Sequence, residues 1–127
     1  DWPLLPGPDR VIRDFDPPPH PWLAGNRGVD LAGSPGQAVH TANSGVVSFA
    51  GPVGGVGAVS VTFGALRTTY EPVIPAVRAG QRVQVGDVIG RLSGRDLHWG
   101  LLRGTDYLDP LALLGLEQVR LLPLDAS

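Results

Sequence analysis

Two short stretches carry side chains of the kind and spacing that chemistry needs: GNRGVD at residues 25–30 and RDLHWG at residues 95–100. In the first, Asp30 stands four residues after a position where a zinc site would want imidazole, and that position holds Asn26. In the second, Asp96 and His98 flank Leu97. A catalytic zinc takes about three protein ligands and keeps one position open for water or substrate. Asp30 and His98 would supply a carboxylate and an imidazole. Asn26 could add only an amide oxygen, a neutral hard donor better suited to calcium or magnesium.

These residues need elements that aim them at one another. In an extended segment side chains alternate between faces, so Asn26, Gly28 and Asp30 project to one side while Val29 and Leu31 project into a core. The same alternation sets Asp96 and His98 opposite Leu97 and Trp99, which places Trp99 in the core. If the two strands are neighbours, Asp30 and His98 meet across a groove. His20, bracketed by prolines, and His40, turned away from the core by the alternation after Val39, are expected at the surface in structural roles.

The rest of the chain reads as strands. From Val29 onward, short runs rich in β-branched and aromatic residues are broken by glycine: AVHTA, GVVSFAG, AVSVTFG, RTTYEPV, QRVQVGDVIGRLSG and DLHWGLLRG. Runs of this length and punctuation predict an all-β, mostly antiparallel domain. Gly86-Asp87 sits where a two-residue hairpin turn would be placed, and Gly51, Gly54, Gly55 and Gly57 mark a flexible loop between two strands. One short helix is expected near the C-terminus, over 109–114, with Asp109 as N-cap, Pro110 in its first turn and Gly115 as its stop. The tail after Gly115 is apolar enough to add a final strand. Residues 1–25 form a proline-rich arm that Trp2, Phe15 and Trp22 would pin onto the domain of residues 26–127.

Composition narrows the chemistry. The 127 residues suffice for one domain with its own core. With no cysteine, thiol nucleophiles, disulfides and thiolate-bound metals are excluded. All ten basic residues are arginine, so Schiff-base chemistry and a P-loop lysine are excluded as well. A net charge of −2 with scattered arginines gives no footprint for nucleic acid. No apolar run approaches the roughly 18 residues that cross a bilayer, so no membrane insertion is expected.

In the order and spacing of its motifs, the sequence resembles the lysostaphin-type, or LytM-type, zinc metallopeptidases that cleave peptide cross-links in bacterial peptidoglycan. Their signature is His-x-Gly-x-Asp early, Tyr-Ala-His in the middle and His-x-His late; the matching stretches are NRGVD, YEP and DLH. GSPGQAVHTANSGVVSFAG and VRAGQRVQVGDVIGRLSG follow the same order between them, so the resemblance spans residues 25–114 and implies a LytM-like β fold with a groove, of the duplicated hybrid motif kind. Carried over by position, it makes Asp30 and His98 the surviving metal ligands and puts Asn26 where the first metal histidine belongs. Asp96 replaces the histidine that acts as general base or positions water. Pro72, after Tyr70 and Glu71, replaces the histidine that stabilises the transition state. The hairpin VRAGQRVQVGDVIGRLSG also resembles biotin- and lipoate-carrier domains, but those need a lysine that this chain lacks.

Disturbing even an outer partner of a metal ligand costs about 10 to 100-fold in affinity or activity, and here a ligand imidazole and both supporting histidines are replaced. The sequence therefore predicts a degenerate LytM-type domain, with no cofactor, that acts by binding. Tyr70, Glu71, Pro72 and Arg103 are expected as groove or rim contacts. The expected partners are peptidoglycan peptide or glycan, or a cell-wall hydrolase that it recruits. The alternative is an active zinc endopeptidase that uses Asp30, His98 and an unconventional third ligand, with Asp96 accepting the proton. Either way the resemblance implies a secreted or cell-envelope bacterial protein whose signal or anchor has been trimmed.

Overall fold

The computed structural model describes residues 2–4, 10–20 and 24–114. These residues form eleven strands: β1 Val11–Arg13, β2 Gly28–Ala32, β3 Ala38–His40, β4 Gly45–Val53, β5 Val56–Phe63, β6 Leu66–Glu71, β7 Val73–Pro75, β8 Arg82–Val83, β9 Val88–Leu92, β10 Asp96–Arg103 and β11 Asp106–Leu108. An eight-stranded sheet runs β1-β2-β10-β6-β5-β4-β8, with β11 pairing β10 beside this path, and a second sheet runs β3-β9-β7. Every pairing between these strands is antiparallel. The all-β expectation holds.

Alternation decides what is buried. Val29, Leu31, Leu97 and Trp99 from the β2–β10 pair are fully buried, as are Val59, Val61 and Tyr70 from β5 and β6. They join Val39, Val73, Ile89 and Leu92 of the smaller sheet in one hydrophobic cluster. One face of the large sheet thus packs on the core, and the other faces away from it, with Asp30, His98 and Glu71 on its central strands.

Two turn expectations need correcting. The glycines around residue 54 do not make a flexible loop: β4 and β5 form a tight hairpin in which Val53 pairs Val56 across Gly54 and Gly55. Both glycines have positive φ, 58° and 85°, the left-handed pair that a type I′ turn requires. At Gly86 the turn is present but the hairpin is not. Asp87 N donates to Gln84 O at 2.9 Å and Gly86 takes φ 91°, yet β8 pairs β4 in the large sheet whereas β9 pairs β3 and β7 in the small one. The turn carries the chain from one sheet to the other.

The helix near the C-terminus is a single turn at residues 112–114. Asp109 caps it: its Oδ1 accepts from Leu111 N at 3.0 Å and its carbonyl from Ala112 N at 3.1 Å. Gly115 and the tail beyond it lie outside the described residues. Of the arm's three expected anchors, Trp2 and Phe15 pack against the core cluster, Trp2 with its ring centroid 6.2 Å from that of Trp99. Trp22 lies outside the described residues. Leu4, which the sequence did not single out, is fully buried.

Candidate functional site

β2 and β10 are neighbours, and their register pairs Asp30 directly with His98. Directly opposed residues of an antiparallel pair share a face, so the backbone alone brings the two side chains together. Asp30 Oδ1 and His98 Nδ1 are 2.6 Å apart, with side-chain exposures of 24% and 32%. The carboxylate can only accept, so His98 carries its hydrogen on Nδ1 and donates it to Asp30. In the neutral ring Nε2 is then an acceptor. It lies over the backbone of Gly28, where a Cβ would come within 2.9 Å of it.

The register continues on both sides. His98 also pairs Glu71 of β6, and Asp30 also pairs Arg13 of β1. A polar row of Arg13, Asp30, His98 and Glu71 therefore crosses four adjacent strands on the face away from the core. The next row on that face holds Gly28, Gly100 and Thr69, a floor with two positions free of side chains. Asp96 lies on the other side of His98, opposite Ala32, and is exposed. Pro72 is half-buried; its carbonyl accepts from Ser93 N at 3.1 Å, which ties it to the loop that leads into Asp96. Beyond Gly28, a cleft of about 590 Å³ opens between the arm and β11, lined among others by Pro17, Pro18, Arg27, Asp106 and Tyr107. The Arg27 guanidinium sits 5.8 Å over the Tyr107 ring.

Two expected site residues are placed otherwise. Tyr70 is not a groove contact: it is fully buried, because it alternates with Glu71 onto the core face. Its hydroxyl accepts from Ala42 N at 2.9 Å and donates to Thr68 Oγ1 at 2.9 Å, and Thr68 in turn bonds Asn43. Burial away from water pushes the Tyr70 phenol above its ordinary value, against the opposing effect of these hydrogen bonds. Arg103 is exposed at the far end of β10, opposite Leu66 and Asp106; five residues along a strand is roughly 17 Å, too far to rim the His98 row. His40 is only half-exposed, with its Nδ1 2.8 Å from Gly86 O. His20 is exposed, as expected.

Asn26 is 5% exposed, and its carboxamide nitrogen bonds the carbonyls of Arg13 and Asp14 at 3.4 and 3.0 Å. Its side chain is engaged with the arm. Two donors on one tetrahedral zinc, each at about 2.0–2.2 Å, stand roughly 3.3 Å apart; Asp30 and His98 are closer than that and bond each other. Among the described residues no group of three or more His, Cys, Asp or Glu is placed to hold a metal ion. Sequence reasoning missed Arg13 and Thr69 as neighbours of the pair. Only strand register, which the sequence does not state, puts them there.

The sequence profile of Peptidase family M23 matches residues 24–110. The chain belongs to this family. It is 46% identical over 139 aligned positions to an uncharacterized protein of Mycobacterium tuberculosis, Rv2891, and equally to one of Mycobacterium bovis; each alignment takes in 99% of this chain. The chain spans about half, 55%, of the length of these relatives. Among solved structures it is similar to Helicobacter pylori Csd3, with a TM-score of 0.76 and 28% identity over 87% of this chain and 33% of that one. It is also similar to CbpA of L. salivarius REN, with a TM-score of 0.76 and 27% identity over 94% of this chain and 96% of that one. The catalytic domain of lysostaphin, the antimicrobial peptidase of Staphylococcus simulans, shares the fold with a TM-score of 0.71 at 21% identity, over 84% of this chain and 92% of that one. The M23 match coincides with the span that carries Asn26, Asp30, Glu71, Asp96 and His98.

Proposed function

We propose that this M23 domain belongs to a bacterial cell-envelope protein and binds peptidoglycan peptides, or a cell-wall hydrolase that acts on them, without cutting them. The observation that carries this reading is the state of the metal positions. Asn26 turns its carboxamide to the arm, and Asp30 and His98 bond each other rather than diverging toward a shared ion. A carboxylate, one imidazole and a neutral amide make a poor donor set for a catalytic zinc, which supports this reading.

What remains suits recognition. His98 Nε2 and the exposed Glu71 and Asp96 carboxylates offer acceptors along a path for an extended peptide, whose amide and ammonium N–H groups would donate to them. The cleft beyond Gly28 extends that path past Arg27. No helix among the described residues is long and apolar enough to cross a membrane.

The second reading, a zinc endopeptidase with an unconventional ligand, is favoured by one observation: Glu71 stands directly across from His98 and could lend a carboxylate. One experiment separates the two. Protein purified with zinc in every buffer is assayed for metal by mass spectrometry, for cleavage of cross-linked peptidoglycan peptides, and for co-sedimentation with purified sacculi. The expected result is far less than one zinc per chain, intact peptides and retention on sacculi. Stoichiometric zinc with cleavage would establish the enzyme instead, and absence from the pellet would remove direct peptidoglycan binding.

A further inference from the structure

The cleft of about 590 Å³ between the arm and β11 is lined by Pro17, Pro18 and Pro19 on one side, by Asp106 and Tyr107 on the other, and by Arg27. Tyr107 pairs Leu102 of β10, which alternation sets on the His98 face, two positions beyond Gly100. Both walls are fixed. Asp16 and Asn26 exchange two backbone hydrogen bonds at 2.7 and 2.8 Å, and Pro18 packs so close to Gly25 that a Cβ there would fall 2.9 Å from its Cδ. Opposite, β11 is laddered to β10 from Leu108 against Leu101 to Asp106 against Arg103. The cleft is therefore formed before a ligand arrives, and its volume lies within the roughly 300–1,000 Å³ usual for small-ligand pockets.

Its lining is of two kinds. The prolines and the Tyr107 ring are apolar plates. The Arg27 guanidinium sits 5.8 Å over that ring, yet 42% of Tyr107 stays exposed, so the ring is held in place and still offers surface to a ligand. Proline has no N–H, and three in a row leave that wall without donors to pair an extended peptide. The charged groups, Arg27 and Asp106, are one of each sign. An anion would meet Asp106 and a cation Arg27, whereas a neutral hydroxyl, which both accepts and donates, suits the two together. Apolar C–H faces edged with hydroxyls are the chemistry of a sugar ring.

We infer that the cleft is a carbohydrate site, which takes one ring of a glycan strand against Tyr107 and the prolines and shares its hydroxyls between Arg27 and Asp106. This assignment rests on the domain's binding peptidoglycan, whose peptides are attached to such strands; it adds the glycan as the part recognised beyond the His98 face.

The test is an NMR titration of the full chain with two separate probes: peptidoglycan glycan strands freed of peptide by an amidase, and a cross-link peptide freed of sugar. The strands are expected to shift the amides of Arg27, Thr105, Asp106 and Tyr107 and to leave the β5–β6 ladder unmoved. Tyr107→Ala and Asp106→Ala, both at exposed positions, should weaken strand binding by about tenfold or more, the scale of one stacked ring or one hydrogen bond to a charged group, with the ladder amides unchanged. Arg103→Ala, in the same hairpin but outside the cleft, should bind as the wild type does. Peptide binding without strand binding would overturn the sugar site and leave the peptide reading intact; strand binding without peptide binding would uphold the site and remove the peptide from that reading. Strand binding that all three variants weaken alike, or that survives Tyr107→Ala, would overturn the site, and failure to bind either probe would overturn both.

Discussion

Asp30 Oδ1 and His98 Nδ1 meet at 2.6 Å because the residues that bear them are directly paired across β2 and β10. The sheet register sets the two side chains side by side. A donor on Nδ1 fixes the imidazole tautomer and its plane. The residue that orients the ring is therefore separate from any ligand the ring meets at Nε2.

That separation can be read spectroscopically. In the wild type at a pH where His98 is neutral, the imidazole nitrogen shifts are expected to report hydrogen on Nδ1. Asp30→Ala should admit the other tautomer and lower stability by about 1 kcal/mol, the scale of one partly exposed hydrogen bond to a charged group. Identical nitrogen shifts in wild type and variant would show that Asp30 does not set the tautomer.

Asn26→His supplies the missing imidazole, yet it is expected to leave the protein with well under one zinc per chain. The new ring must leave a buried position beneath the arm, and Asp30 and His98 must part by several tenths of an ångström to share an ion. Metal analysis after equilibration with zinc decides this. Full occupancy would show that residue 26 alone separates this site from a zinc centre.

Tyr70 sits at the centre of a buried hydrogen-bonded group with Ala42, Thr68 and Asn43. Tyr70→Phe leaves Ala42 N–H without its acceptor and is expected to cost about 1–3 kcal/mol in urea unfolding. Because burial raises the folded phenol above 10.0, the unfolded chain loses this proton first as pH rises. The stabilising contribution is therefore complete below pH 10.0 and declines above it, toward the folded value. In Tyr107→Phe, where Tyr70 is the remaining tyrosine, phenolate absorbance should appear together with unfolding. Ionisation in a still-folded protein near pH 10.0 would contradict the burial.

Strand periodicity was legible because it is local: the alternation that buries Val29, Leu31, Leu97 and Trp99 is written in consecutive residues, and it placed Asp30 and His98 on one face. Sheet membership is not local. Gly86 marks its turn in the sequence, but nothing within a few residues shows that β8 and β9 join different sheets. Tyr70 was misplaced for a related reason: the match of YEP to a family motif drew it to the groove, whereas its parity with Glu71 assigned it inward. Arg13 stayed hidden because three residues with a register shift leave no pattern, and the destination of the Asn26 amide depends on an arm more than ten residues away.

Gly28 tests whether the floor under His98 matters to its position. A Cβ there would lie 2.4 Å from Trp99 O and 2.9 Å from His98 Nε2, and the first contact is backbone in a paired strand that cannot swing aside. Gly28→Ala is therefore expected to destabilise the protein by about 1–3 kcal/mol, the usual range for an overpacked interior. It should also push the imidazole off the floor, shifting the His98 ring resonances more than those of His40. An alanine that fits without loss of stability and without moving those resonances would mean that β2 and β10 have more room at this crossing than the register allows, and the geometry assigned to Nε2 would fall with it.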